Sequence, residues 1–153
     1  MGRDTPVNEL AQALTGKRFR FEMPVRWGDL DALNHVNNTV YFRYMEEARV
    51  YSLRVSGVGV LKKNRHIVLA HTSCDFLRPI VWPANLLIDM RLERVGRSSL
   101  EYHTEISMKD DGGGPCLRAR NIIVGTDSET GRASPWTQAE LQGMAEVFDF
   151  HGT

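Results

Sequence analysis

"RWGDLDALNHVNNTVYFRYMEEAR", residues 26–49, crowds two aspartates, a histidine and three asparagines ahead of an apolar run of helical period. Tyr41, Tyr44, Met45, Ala48, Tyr51, Ser52 and Val55 recur at the i, i+3, i+4, i+7 spacing, while Arg43, Glu46, Glu47 and Arg54 fall mostly elsewhere. The pattern predicts an amphipathic helix of about four turns, with Asn37 or Asn38 as its N-cap and Gly57 as its stop. A helix start carries unpaired N–H groups and about half a positive charge. It can polarise a carbonyl and hold the oxyanion formed on attack, and a carboxylate beside it can attack or activate water. Asp and Asn are equally ordinary residues of loop-to-helix turns. Spacing alone therefore leaves both a cap and a site open.

On either side of this stretch the period is two. In "RFRFEMPVRW", Phe19, Phe21, Met23, Val25 and Trp27 alternate with Arg18, Arg20, Glu22 and Arg26, which predicts a half-buried strand. Pro24 lacks an N–H and favours an edge position or a bulge. After the helix, "HIVLAHTSCDFLRP" is apolar on both faces in places, like a strand covered on both sides. "LLIDMRLERV", "SLEYHTEISM" and "CLRARNIIVGTD" predict three more strands. Val95-Gly96-Arg97 is short enough for a hairpin turn, and "KDDGGGP" (109–115) reads as a hairpin loop between strands. Thr137 with Glu140 forms a capping-box pattern that opens a short helix over about 137–146. Strand, long helix, four strands and a small helix, with the late strands joined by short turns, make an antiparallel α+β fold. The 153 residues are read as one domain with its core over about 17–127.

Composition narrows the function classes. Lys+Arg and Asp+Glu balance at 19 each, so no global field favours nucleic acid or an anionic membrane. No run approaches the roughly 18 apolar residues of a membrane span. The start "MGRDTPVNELAQ" lacks the apolar core of a secretory signal, and Pro6 stands where a myristoylation pattern needs Ser or Thr. Cys74 and Cys116 form no CxxC, which fits reduced thiols and a cytoplasmic location; core filling is the ordinary role of such a cysteine. Asp29-x-Asp31 resembles the start of a calcium loop, but Leu33 stands where Asp or Asn is needed. His66, His71 and His103 lie in strand-like runs and His151 in the tail, so no metal site is expected. There is no G-x-S-x-G elbow, P-loop or dinucleotide fingerprint.

The run "VRWGDLDALNHVNNTVYFRYMEEAR" resembles the signature of hotdog-fold acyl-CoA thioesterases of the 4-hydroxybenzoyl-CoA thioesterase type: Asp-x-Asp, a turn, His-Val-Asn-Asn, an aromatic, then Glu-x-Ala-Arg. "CDFLRPIVWPANLLIDMRLERVGRSSLEYHTEI" is similar to that family's later progression of strand, Arg-Pro, strand, Gly-x-Ser and strand. The resemblance covers about 19–126. It implies a hotdog fold, a long central helix wrapped by a five- or six-stranded antiparallel sheet. It also implies a homodimer or homotetramer with active sites at the subunit interface.

The resemblance carries roles residue by residue. Asp31 aligns with the catalytic carboxylate, nucleophile or general base in different members, and the N–H of Asn38 with the amide that polarises the thioester carbonyl. His35 would orient the thioester or a water. Glu46 or Glu47 would supply a second carboxylate, with a solvated helix face as the plain alternative. Arg97, Ser98 and Ser99 resemble the segment near the coenzyme A phosphates, and are equally a plain hairpin turn. Asp29 and Asn37 keep structural readings. Plant acyl-carrier-protein thioesterases share the pattern but carry Asn two residues after the catalytic Asp, where this chain has Leu33. The expected activity is therefore hydrolysis of an acyl-CoA thioester, with no cofactor beyond the substrate. A non-catalytic acyl-CoA-binding hotdog protein and a hotdog enoyl thioester hydratase are the alternatives.

Overall fold

A computed structural model describes residues 5–149; the readings placed on residues 1–4 and on His151 lie outside them. The order is α1 (Val7–Leu14), β1 (Arg18–Pro24), a single 3-10 turn (Trp27–Asp29), α2 (Asn38–Ser56), β2 (Arg65–Phe76), β3 (Asn85–Val95), β4 (Ser99–Met108), β5 (Pro115–Asp127) and α3 (Gln138–Val147). The five strands form one antiparallel sheet in the order β1-β3-β4-β5-β2, and α2 lies against it. The expected long helix and antiparallel sheet are present, with five strands.

Alternation builds the sheet's two faces. Leu86, Ile88, Met90 and Leu92 of β3, with Leu100, Tyr102 and Ile106 of β4, are buried on the inner face, and α1 and α2 both pack against β3. The alternate positions carry charge on the outer face, where Arg18 and Arg20 meet Asp89 at 3.0 and 3.3 Å and Arg118 meets Glu105 at 2.7 Å. Within the core one polar chain crosses three strands. Thr104 of β4 donates to Asn121 Oδ1 of β5 at 2.8 Å. Asn121 Nδ2 then donates to Thr72 of β2 at 2.9 Å and touches Met45 of α2 at 3.7 Å.

Four local expectations need correction. Trp27 does not continue the strand: it begins the 3-10 turn and is 73% exposed, whereas Val25 is buried. The buried stripe of α2 is Tyr41, Tyr44, Met45, Ala48, Arg49, Ser52, Leu53 and Ser56, so Tyr51 and Val55 face outward and Arg49 turns in. Tyr51 instead packs its ring on Phe19 and Phe21 of β1. Strand β2 is not covered on both sides; it is a sheet edge, mostly exposed, with Val68 and Leu69 in the open. Finally, α1 was not expected. Its Leu10 and Leu14, one turn apart, bury completely, and the helix packs against α3 and β3.

The ends of α2 follow from their residues. Asn37 is the N-cap, its side chain accepting the Thr39 N–H at 2.9 Å. Gly57 stops the helix in a left-handed conformation (φ 83°), which no side chain opposes. Its N–H returns to Arg54 O at 3.1 Å and that of Val58 to Leu53 O at 3.0 Å, closing the exposed carbonyls. Helix α3, capped by Thr137 and Glu140 as expected, crosses α2 where Gly143 faces Ser56. A Cβ at Gly143 would sit 1.9 Å from the Ser56 carbonyl oxygen. Gly143→Ala must push the two helices apart and is expected to cost about 1–3 kcal/mol. Urea unfolding checks this; an unchanged midpoint would contradict the close crossing.

Candidate active site

The polar stretch between β1 and α2 folds as a tight loop whose side chains hold its own backbone. Asp31 N–H donates to His35 O at 2.8 Å, while Asp31 Oδ1 accepts the N–H of Leu33 at 2.8 Å and that of His35 at 3.4 Å. Asn34 takes φ of 60°, a conformation Asn tolerates better than most residues. Val36 N–H donates to Ile80 O at 2.9 Å, tying the loop to the β2–β3 connection. Asp29 has a different job. Its Oδ2 accepts the Arg26 N–H at 2.9 Å and the Tyr44 hydroxyl at 2.7 Å, and its carbonyl accepts the Asn37 N–H at 2.9 Å. Burial and the Asp29 charge push the Tyr44 phenol well above its ordinary range, so it remains a donor.

The cap divides the first amides of α2. Thr39 N–H goes to the Asn37 side chain and Val40 N–H to Asn37 O at 2.9 Å. Among the described residues no acceptor takes the Asn38 N–H. The Asn38 amide thus stands open at the positive end of a nineteen-residue helix. Asp31, His35 and Asn38 line one cleft of about 350 Å³, walled by Tyr41, Phe76 and Arg78. Tyr41 and Phe76 meet edge to face at 5.1 Å. Tyr41 also accepts the Ile80 N–H at 3.3 Å, and burial keeps its phenol protonated beyond the usual range. Asp31 Oδ1 is committed to the loop, while Oδ2 has no hydrogen-bond partner among the described residues.

Arg78, of the Arg-Pro pair, fixes the cleft's outer wall. Its guanidinium makes two bonds to Asp111, at 2.7 and 3.0 Å, and one to Gly114 O at 2.6 Å. The paired guanidinium and the Gly113 N–H hold the Asp111 carboxyl down at about 2. The "KDDGGGP" hairpin is therefore clamped against the cleft through one ion pair.

Other candidate residues lie elsewhere. Glu46 and Glu47 are exposed on α2; Glu46 meets Arg43 at 3.6 Å, and Glu47 lines no part of the Asp31 cleft. Arg97 and Ser98 lie in the turn between β3 and β4 and Ser99 opens β4, at the far end of β3 from the cleft. There the Ser98 carbonyl accepts the Gly125 N–H and the Arg97 carbonyl the Trp136 N–H. Both cysteines have their thiols pushed up by burial, which removes them as ready nucleophiles. Among the described residues no three His, Cys, Asp or Glu side chains gather as a metal-ligand set. No helix among them is long and apolar enough to cross a membrane. Tyr41, Phe76 and Arg78 line the cleft although sequence reasoning gave them no role in a site; the Arg-Pro pair was the available signal.

Residues 25–144 match a family model described as "Thioesterase-like superfamily". The uncharacterized protein YsmA of Bacillus subtilis is 30% identical over 141 residues, 92% of each chain. Among solved structures, a thioesterase from Thermus thermophilus complexed with coenzyme A and Zn is 31% identical. It matches with a TM-score of 0.68 over 82% of this chain and 96% of that one. The PA2801 protein of Pseudomonas aeruginosa is 30% identical, with a TM-score of 0.73 over 79% and 93%.

Proposed function

This chain belongs to the thioesterase-like superfamily, and from that premise we propose that it hydrolyses an acyl-CoA thioester to a free carboxylic acid and coenzyme A. The observation that carries the reading is the single cleft lined by Asp31, His35 and Asn38. The thioester carbonyl oxygen accepts the unpartnered Asn38 N–H at the head of α2, where developing negative charge is stabilised. Asp31 Oδ2 either takes a proton from the water that adds to the carbonyl carbon, or adds to that carbon itself and is released by water. The carbon–sulfur bond then breaks and coenzyme A leaves as thiolate, to be protonated. His35, held by the Asp31 loop, orients the thioester or the water. No metal or redox group enters these steps.

Two further features support the reading. A relative of 31% identity holds coenzyme A. The long exposed edge of β2, with Val68 and Leu69 in the open, suits pairing with a second copy. A homodimer or homotetramer would then bring a partner's Arg97, Ser98 and Ser99 turn, or its Glu47, towards a cleft they do not line within one chain. Aromatic acyl groups, as in the 4-hydroxybenzoyl-CoA type, belong in the first test. Acyl-CoAs of several lengths, with an aromatic one, are incubated with the protein and a thiol reagent. Free thiol release is expected. Tight binding without release would turn the reading to a non-catalytic binder, and loss of enoyl absorbance from an unsaturated substrate to a hydratase.

A further inference from the structure

A second groove, of about 600 Å³, runs along α2 above the β2 and β5 side of the sheet. Phe42, Met45 and Arg49 face Leu69, Thr72 and Asn121 across it, and two carboxylates also line it, Asp29 bonded to the Tyr44 hydroxyl and Glu46 meeting Arg43. Arg49 is the anomaly: it is only 9% exposed, yet among the described residues it has no hydrogen-bond acceptor and no salt bridge. Burial lowers its guanidinium pKa, against a weak pull from Tyr102 and Glu46. Glu46 is itself exposed and meets Arg43. The other deeply buried arginine, Arg65, is doubly bonded to Glu140. Arg49 lines the groove with no counter-ion of its own, and a mostly buried cation of this kind is favourable only when an anion meets it.

Geometry indicates where that anion would come from. Asn38, Met45 and Arg49 stand at i, i+7 and i+11 and share one face of α2. Eleven residues at 1.5 Å each separate Asn38 from Arg49 by about 16 Å along the axis. A helical side chain leans towards the N-terminus, so the Arg49 guanidinium reaches back into that interval. Asn38 lines the Asp31 cleft and Arg49 the neighbouring groove, whose Phe42, Met45 and Leu69 are apolar side chains that suit a hydrocarbon chain.

We propose that this groove receives the acyl group and that Arg49 binds a carboxylate at its far end, so that preferred substrates are coenzyme A monothioesters of dicarboxylic acids. The inference rests on the thioesterase reading above. The test uses matched pairs, adipoyl-CoA against hexanoyl-CoA and suberoyl-CoA against octanoyl-CoA, with the full chain. Wild-type kcat/KM is expected to favour the dicarboxylic member tenfold or more in at least one pair. Arg49→Met should bring that ratio to about one, and Arg49→Lys, which keeps the charge, should retain part of the preference. Far-UV circular dichroism confirms that each variant is folded; the wild-type comparison needs no variant. Equal treatment of both members by wild type, or a preference that survives in Arg49→Met, overturns the proposal and leaves the thioesterase reading intact. If no thioester is cleaved, that reading fails, and equilibrium binding of the same four compounds decides. Tighter dicarboxylic binding lost in Arg49→Met upholds the site, and equal binding removes it.

Discussion

Asp31→Asn is expected to lower kcat by about 10²–10⁴-fold, the range for loss of a positioned acid–base group, while the protein stays folded. The two halves of that expectation come from different atoms of one carboxylate. Oδ1 accepts the Leu33 and His35 amides, and an asparagine Oδ1 can accept them equally well. Oδ2 is the atom without a partner, and asparagine replaces it with an NH₂ that can neither attack nor take a proton. Asp31→Ala removes both functions and is expected to lose activity together with loop order and some stability. Steady-state thiol release and thermal unfolding of the two variants separate chemistry from scaffolding. Near-wild-type turnover in the folded Asp31→Asn protein would remove Asp31 from the reaction.

The largest effect on stability is expected at Glu140. Its carboxylate meets Arg65 at 2.9 and 2.8 Å, and both side chains are 0% exposed. Arg65 also donates to the carbonyls of Ser134 and Pro135, each at 2.8 Å, and lies 5.0 Å over the Trp136 ring. Glu140 additionally accepts the Thr137 N–H at 3.0 Å, so one residue both caps α3 and fastens it to the start of β2. Glu140→Gln keeps the shape and deletes the charge, leaving Arg65 buried without a counter-ion. A loss of about 3–5 kcal/mol is expected for breaking such a pair, read as a lower urea midpoint. The double variant Arg65→Met/Glu140→Leu should recover much of it, because no unpaired charge remains. If Glu140→Gln unfolds at the wild-type midpoint, the pair contributes little and α3 is held by packing alone.

What could be read from the sequence tracks how local the physics is. The cap at Asn37, the stop at Gly57, the capping box at Thr137 and the two hairpin turns were legible, since each is decided within a few residues. The side-chain periods gave the antiparallel sheet and the long helix. Arg49 and Tyr51 went astray because helical spacing defines a stripe only to within a residue, and the sheet chooses its centre. Strand β2 misled for a related reason: apolar residues on both faces predict a covered strand, and one chain leaves it at the edge. Trp27 looked like the next beat of an alternation that a 3-10 turn interrupts. In the candidate site, Asp31, His35 and Asn38 were found because they are neighbours in sequence. Tyr41 stands one helical turn after Asn38 on α2, but Phe76 and Arg78 reach the same cleft from other segments, through the pairing of Val36 with Ile80 and the clamp of Asp111 on Arg78, and no spacing rule joins those segments.

With the proposed acyl groove as its site, the polar chain Thr104–Asn121–Thr72 would also limit how this protein acquires a different acyl preference. Asn121 and Thr72 form part of the groove floor, yet each is also one link between strands. Changing Asn121 alone to an apolar residue strands the buried hydroxyl of Thr104, whose desolvation cost then falls on the fold. A new floor therefore has to arrive as a coordinated change on three strands. Phe42 on α2 carries no such link, so the helix side of the groove is freer to change by single substitutions than its base.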